Sequence, residues 1–220
     1  MKTVLVIAPH ADDETLGCGG TLLKMKAAGD RLGWLLATSP TPKNGFPVEF
    51  ARQREQDIRT VKERYGFSFV EILDFPPGGI AETPRKKLVE DLSRVIETFK
   101  PHTVFLPFEG DVHSDHRAIF EACQSALKTF RAPDVERILC YETISESDQS
   151  FHPSFIPNVF VNISDFLEEK IDIMNTYSSE IAHFPFPRSE KAIEALAHLR
   201  GAKAGFAAAE AFMLMRERVL

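Results

Sequence analysis

The chain has 220 residues, 44 % of them hydrophobic and 26 % charged, which suits an ordinary soluble globular protein with one ample core, read here as a single domain over 1–220. A formal net charge of −6 gives no basic footprint for nucleic acid, and no apolar run reaches the length of a membrane span. Met1-Lys2 leads straight into a strand with no targeting segment, so the cytoplasm is the default compartment, and Cys18, Cys123 and Cys140 read as small buried hydrophobes, not as a disulfide framework.

Strands and helices alternate along most of the chain. Thr3 to Ala8 is an apolar strand, and Asp13 to Ala28 a helix that Gly29 stops. Leu32 to Thr38 is a second strand, followed by the turn-rich loop Ser39-Pro40-Thr41-Pro42-Lys43-Asn44-Gly45. A charged helix runs from Glu49 to Tyr65 and ends at Gly66. Phe69 to Phe75 is a third strand, closed by Pro76-Pro77-Gly78-Gly79. Leu88, Leu92, Val95 and Ile96 mark a helix over 85–99 before Lys100-Pro101 ends it. A fourth strand over 103–108 leads into a helix through Ile119, Cys123 and Leu127, and Ile138 to Thr143 is a fifth strand. The last third is less regular. A strand over 158–163, a helix over 164–175 and further helical segments from Arg188 onward are expected there, packing on the sheet or walling the site. The alternation predicts an α/β fold with a mostly parallel sheet covered by helices on both faces, without a linker or internal repeat.

Two loops carry the chemistry. Pro9-His10-Ala11-Asp12-Asp13-Glu14 follows the first strand, and His113-Ser114-Asp115-His116-Arg117 follows the fourth. Loops leaving the carboxyl ends of parallel strands are where sites are built in open sheets. His10 and Asp13 are three apart at a strand-to-helix turn, and His113 and His116 have the same spacing, so each pair can share one side of a turn. Imidazole and carboxylate ligands suit zinc, and iron would tolerate much the same set. Asp12 is then a spare carboxylate beside the metal, placed to take a proton from an activated water. Taken alone, Asp12-Asp13-Glu14 also reads as plain helix capping, since acidic residues favour a helix N-terminus. Two such clusters, each after a buried strand, favour a metal-dependent hydrolase.

The first segment, with Leu16-Gly17-Cys18-Gly19-Gly20-Thr21-Leu22 after it, resembles the opening motif of the PIG-L/LmbE deacetylase family, and the second resembles that family's His-x-Asp-His motif. Arg52-Gln53-Arg54-Glu55 with Gly66, Lys100-Pro101 and Ala209-Glu210-Ala211-Phe212 extend the resemblance through most of the chain. It implies a Rossmann-like, doubly wound sheet and a zinc-dependent hydrolase that removes N-acetyl groups from N-acetylglucosamine-type conjugates. By position it makes His10, Asp13 and His116 the zinc ligands and Asp12 the general base. His113 falls where the family holds the oxyanion or protonates the leaving amine. Asp115 matches a carboxylate that supports a site histidine, and Arg52 matches a substrate-contacting arginine. Glu14 is open between helix capping and support of the site.

Two departures stand out: Ala11 replaces the family's usual proline, and Pro77-Gly78-Gly79 offers no carboxylate where the family often has a sugar-binding aspartate. The rival classes are a nicotinamide enzyme, a metal-dependent hydrolase of another amide or of a phosphoester, and a binding module without turnover. Gly17-Cys18-Gly19-Gly20 is not a dinucleotide fingerprint and follows the acidic cluster, which argues against the first. Ligands for one metal are plain and for two only by strain, which argues against a two-metal phosphoesterase. Every expected polar position is filled, which argues against loss of activity. The run His183-Phe184-Pro185-Phe186-Pro187-Arg188 is open among lining the cleft, contacting another subunit and plain packing, and the oligomeric state is left open with it. His102, His152 and His198 read as surface or capped residues, and most of the eighteen phenylalanines as core.

Overall fold

The computed structural model describes residues 1–151 and 154–219, so His152 lies outside the described residues. In chain order the elements are β1 (Thr3–Ala8), α1 (Asp13–Ala27), β2 (Arg31–Thr38), α2 (Val48–Tyr65), β3 (Phe69–Phe75), α3 (Arg85–Phe99), β4 (Thr103–Leu106), α4 (Ser114–Ala126), β5 (Arg137–Tyr141), β6 (Val159–Asn162), α5 (Leu167–Met174), α6 (Glu190–Ala204) and β7 (Ala209–Glu217). All seven strands join one sheet in the order β3-β2-β1-β4-β5-β7-β6. The first five pair in parallel, and β7 runs antiparallel to both β5 and β6. This is the doubly wound α/β architecture expected from the alternation.

The period-two alternation of β1 divides the core. Leu5 and Ile7 pack among buried side chains that include those of α3 and α4. Val4, Val6 and Ala8 pack on the other face, with those of α1, α2 and α5. With both faces covered, the central strands read as continuous apolar runs. Cys18, Cys123 and Cys140 are buried free thiols, as their surroundings in the sequence suggested. Among the described residues no helix is long and apolar enough to cross a membrane.

From β1 the chain winds outward through β2 to β3, then returns across the sheet to place β4 on the other side of β1. The crevice outside the carboxyl ends of β1 and β4 is therefore the switch point of the sheet, and both chemistry-bearing loops open into it.

Helix α1 is kinked at Cys18, whose φ of −147° leaves the helical range. The carboxylate of Glu210, from β7, accepts the backbone N–H groups of Gly20 (2.9 Å) and Thr21 (2.7 Å), replacing the bonds the kink removes. Lys170 donates to the same carboxylate (2.7 Å) and to the carbonyl of Leu16 (2.9 Å). The glycines serve this packing: a Cβ on Gly17 would stand 2.3 Å from the Tyr141 ring, and one on Gly20 2.9 Å from Ile163. They let α1 lie close against Tyr141 and Ile163, which gives the glycine run a packing role.

The C-terminus corrects one expectation. Residues from Arg188 onward were expected to be helical, and α6 is, but Gly205 then turns the chain left-handed (φ 78°) and 209–217 forms β7. Ala, Glu, Met, Leu and Arg are all good helix formers. Between β5 and β6, however, this segment can satisfy its backbone on both edges. Tertiary pairing overrides the local preference.

Candidate active site

Where β1 gives way to α1, the chain makes a strained turn. Asp12 has φ 148° and ψ −28°, a conformation a non-glycine residue rarely adopts and one that tends to persist only where the surroundings enforce it. Several bonds do so. The Asp12 carbonyl accepts the N–H groups of Thr15 (3.0 Å) and Leu16 (2.8 Å), while its own N–H donates to the Glu14 carboxylate (3.1 Å). Glu14 is fully buried and also accepts the hydroxyls of Thr15 (2.6 Å) and Tyr177 (2.9 Å). Burial pushes its carboxyl up to about 7. The two readings of Glu14 thus merge, because its reach back to the Asp12 amide is itself the support of the turn.

Asp13 sits between two imidazoles. Its Oδ2 is 3.4 Å from His10 Nδ1 and 3.3 Å from His116 Nε2, and it also accepts the His10 backbone N–H (2.8 Å). The far nitrogen of each ring meets another carboxylate. His10 Nε2 lies 2.9 Å from Asp115 Oδ2, and His116 Nδ1 lies 2.8 Å from Asp111 Oδ2. Both outer carboxylates are fixed in turn. Asp115 accepts the N–H groups of Gly78 (2.7 Å) and Ile80 (3.0 Å), and Asp111 accepts the Ser147 hydroxyl (2.5 Å). The Pro77-Gly78-Gly79 turn, which brings no carboxylate, serves the site through its backbone.

One donor atom from each of His10, Asp13 and His116 lies within 4.8 Å of the other two. Zinc–ligand bonds of about 2.0–2.2 Å set tetrahedral ligand-to-ligand edges of roughly 3.3–3.6 Å. The two spacings around Asp13 Oδ2, 3.4 and 3.3 Å, match such edges. A ligating histidine commonly hands its other nitrogen to a carboxylate, and both rings do so here. The donor set fits a divalent cation. A second grouping, His10, His113 and Asp115, shares His10 with the first and uses a carboxylate already committed to three hydrogen bonds.

Charge follows the same plan. Burial alone would depress His10, yet its hydrogen bonds to Asp115 and Asp13 carry it up to about 9. Burial would raise Asp13, but His116 and His10 hold it well below the usual carboxylate range. Asp12, buried and beside Asp13, is held above that range. His113 is different: burial, with the neighbouring imidazoles, lowers it to about 4. Its Nδ1 accepts the Asp115 N–H (3.2 Å), so the neutral ring carries its proton on Nε2. Its centroid is 4.4 Å from that of His10.

His10, Asp12, Asp13, His113 and His116 all line one cavity, together with Phe46, Phe50, Arg54, Glu146, Glu180 and Arg188. Asp115 stands just behind it. Arg52 does not reach it. Arg52 is exposed on α2, whereas Arg54, two residues on and therefore some 200° around the helix, is buried and lines the cavity. Arg54 donates to the Ala11 carbonyl (2.6 Å), to Ser179 Oγ (2.9 Å) and to the Glu180 carboxylate. Helical phase was the signal that separates the two arginines, because Arg54, Ile58, Val61 and Tyr65 form the buried stripe of α2. Asp111 was also missed; a carboxylate five residues before His116 was its only trace. Of the 183–188 loop, Arg188 lines the cavity and donates to Glu180 through Nε (2.9 Å to the backbone O) and Nη2 (3.3 Å to Oε2), while Phe184 stays exposed. Glu146 and Glu180 had no signal in the sequence.

Residues 5–127 match the family model described as PIG-L: GlcNAc-PI de-N-acetylase. The chain is 29 % identical to the diacetylchitobiose deacetylase of Thermococcus kodakarensis, over 96 % of this chain and 82 % of that protein. A conserved protein of Thermus thermophilus superposes with a TM-score of 0.80 at 30 % identity, covering 100 % of this chain and 97 % of that one. The N,N′-diacetylchitobiose deacetylase of Pyrococcus horikoshii, solved with an inhibitor, shares the fold at a TM-score of 0.78 and 22 % identity, over 98 % and 84 % of the two chains.

Proposed function

This chain belongs to the PIG-L family of de-N-acetylases, and from that premise we propose that it is a zinc-dependent N-deacetylase acting on an N-acetylglucosamine-type sugar conjugate. The observation that carries the reading is the cavity in which His10, Asp13 and His116 converge, the two spacings to Asp13 Oδ2 matching tetrahedral edges, with Asp12 and His113 on its wall. The relatives named as diacetylchitobiose deacetylases suggest the substrate class. Iron would fit the same three donors.

His10, Asp13 and His116 would hold the metal. When bound, it supplies a Lewis acid for the acetyl carbonyl and lowers the pKa of a water. Asp12 would take the proton of the attacking water as the water oxygen bonds to the acetyl carbon. The carbonyl oxygen becomes an oxyanion, and the Nε2–H of His113, a neutral donor fixed by its bond from the Asp115 amide, hydrogen-bonds to it. The C–N bond then breaks, and the proton held on Asp12 passes to the departing nitrogen. Acetate and a free amino sugar leave. By accepting the N–H of each ring, Asp111 and Asp115 would hold His116 and His10 in the tautomer whose other nitrogen is free for the metal.

Acetate release from N,N′-diacetylchitobiose and related N-acetylglucosamine conjugates, by zinc-loaded protein, tests the reading. Asp12→Asn is expected to lose about 10²- to 10⁴-fold in kcat while zinc stays bound, the range general acid–base groups contribute. An unaffected rate would remove Asp12 from its role. Release from none of the sugars would remove the substrate class.

A further inference from the structure

Outside the metal-side cluster, the charged groups that line the cavity are Arg54, Glu146, Glu180 and Arg188. Glu180 is bracketed by the two arginines, so those three satisfy one another. Glu146 differs. Among the described residues its carboxylate takes part in no hydrogen bond and no ion pair, although it faces the same cavity and is only partly exposed.

Its position is nonetheless fixed. The turn after β5 is closed by Ser147 N–H to the Thr143 carbonyl (2.8 Å), Thr143 N–H to Ser147 Oγ (2.9 Å) and Ser145 N–H to the Asp148 carboxylate (2.6 Å). Ser145 adopts φ +80°, which a serine accepts only under such constraint. Ser147 then donates to Asp111, the carboxylate that orients His116. One chain of hydrogen bonds therefore sets Glu146 at a defined place relative to the His116 imidazole. A carboxylate on a held backbone, without a protein partner among the described residues and half withdrawn from water, is an acceptor waiting for donors.

Resting on the deacetylase reading above, the geometry points to Glu146 as the residue that reads the sugar: its carboxylate accepts hydrogen bonds from ring hydroxyls of an uncharged N-acetylated sugar seated in the cavity. The half-buried rings of Phe46 and Phe50, stacked 5.7 Å apart, give the same cavity an apolar wall for the C–H face of that ring. The chain carries no carboxylate at 77–79, and Glu146 brings one to the cavity from the far side of β4. Because a carboxylate accepts hydrogen bonds and repels anions, the substrate class is a sugar with free hydroxyls and no anionic group at this end.

The test is steady-state deacetylation of methyl N-acetyl-β-glucosaminide and its 3-, 4- and 6-deoxy analogues by the zinc-loaded enzyme and by Glu146→Ala and Glu146→Gln. Removing a hydrogen bond to a charged acceptor costs about 10- to 100-fold, so Glu146→Ala should lose that factor in kcat/KM, carried by KM, with kcat and zinc content kept. The wild-type enzyme should lose a similar factor on one deoxy analogue, and Glu146→Ala should lose nothing further on that same analogue. Glu146→Gln, which keeps an acceptor oxygen, should recover part of the loss. Unchanged KM in Glu146→Ala, or equal losses on every deoxy analogue in variant and wild type, would overturn the assignment and leave the deacetylase standing. A wild-type enzyme that binds zinc and deacetylates no sugar would bring down both.

Discussion

The cavity at the ends of β1 and β4 takes its proposed reacting side chains from two short stretches, 10–13 and 113–116, while its aromatic and remaining charged lining comes from Phe46, Phe50, Arg54, Glu146, Glu180 and Arg188. The two are also held differently. Asp13, Asp111, Asp115 and His116 are all buried, and each makes hydrogen bonds to neighbours that are themselves buried or backbone. Among the other lining residues, Phe46, Phe50, Glu146, Glu180 and Arg188 are only partly buried, and Arg54 is buried. The contrast separates two tasks. The proposed reacting positions are compact in sequence, and their carboxylates and His116 are buried, while His10 and His113 open part of their rings to the cavity. Positions that meet a substrate are gathered from distant segments and stay open to water.

Asp13→Ala is the largest test of that division. It removes the donor shared by both imidazoles and leaves His10 and His116 with only their outer carboxylates. Metal content and acetate release should both fall to background, whereas Asp12→Asn, one residue away, should lose rate alone. If Asp13→Ala kept stoichiometric zinc, the metal set would have to be redrawn.

Asp111→Asn should act next in size and on the same wall. The amide can still accept from His116, but it removes one of the two carboxylate charges, after that of Asp13, that raise the imidazole, and it disturbs the bond from Ser147. Groups of this kind typically cost about 10- to 100-fold in metal affinity or activity. Zinc titration against a chelator should show the weakening, with a smaller rise in KM for the sugar because the Ser147 bond also sets the Glu146 turn. A KM effect with normal zinc affinity would mean that Asp111 acts through Ser147 and Glu146 alone and does not support the metal ligand.

The same division explains what could be read without coordinates. The reacting wall was legible because its residues cluster after two apolar strands, and strand-to-loop order fixes where such clusters go in a parallel sheet. The parallel core of the fold was legible for the same reason. The C-terminal strand was not, since AEAFMLMRE has the local preferences of a helix and becomes β7 only by pairing with two neighbours. Glu146 was not legible either: it lies in a turn whose approach to the cavity depends on a bond from Ser147 to Asp111, thirty-six residues earlier in the chain. Arg54 was legible in principle, and only the phase of α2 had to be counted.

That phase gives the smallest and most selective test. Arg54 satisfies the Ala11 carbonyl, Ser179 and Glu180 with one planar guanidinium, so Arg54→Lys cannot serve all three and should raise KM about tenfold. The Ala11 contact also joins the recognition wall to the Asp12 turn, so a modest fall in kcat is expected alongside. Arg52→Ala, exposed on the opposite face of the same helix, should stay within about twofold on both constants, as surface substitutions usually do. Steady-state kinetics of the two variants, side by side, decide which arginine serves the site. A large effect at Arg52 with none at Arg54 would mean that substrate binds outside the cavity, against α2's solvent face.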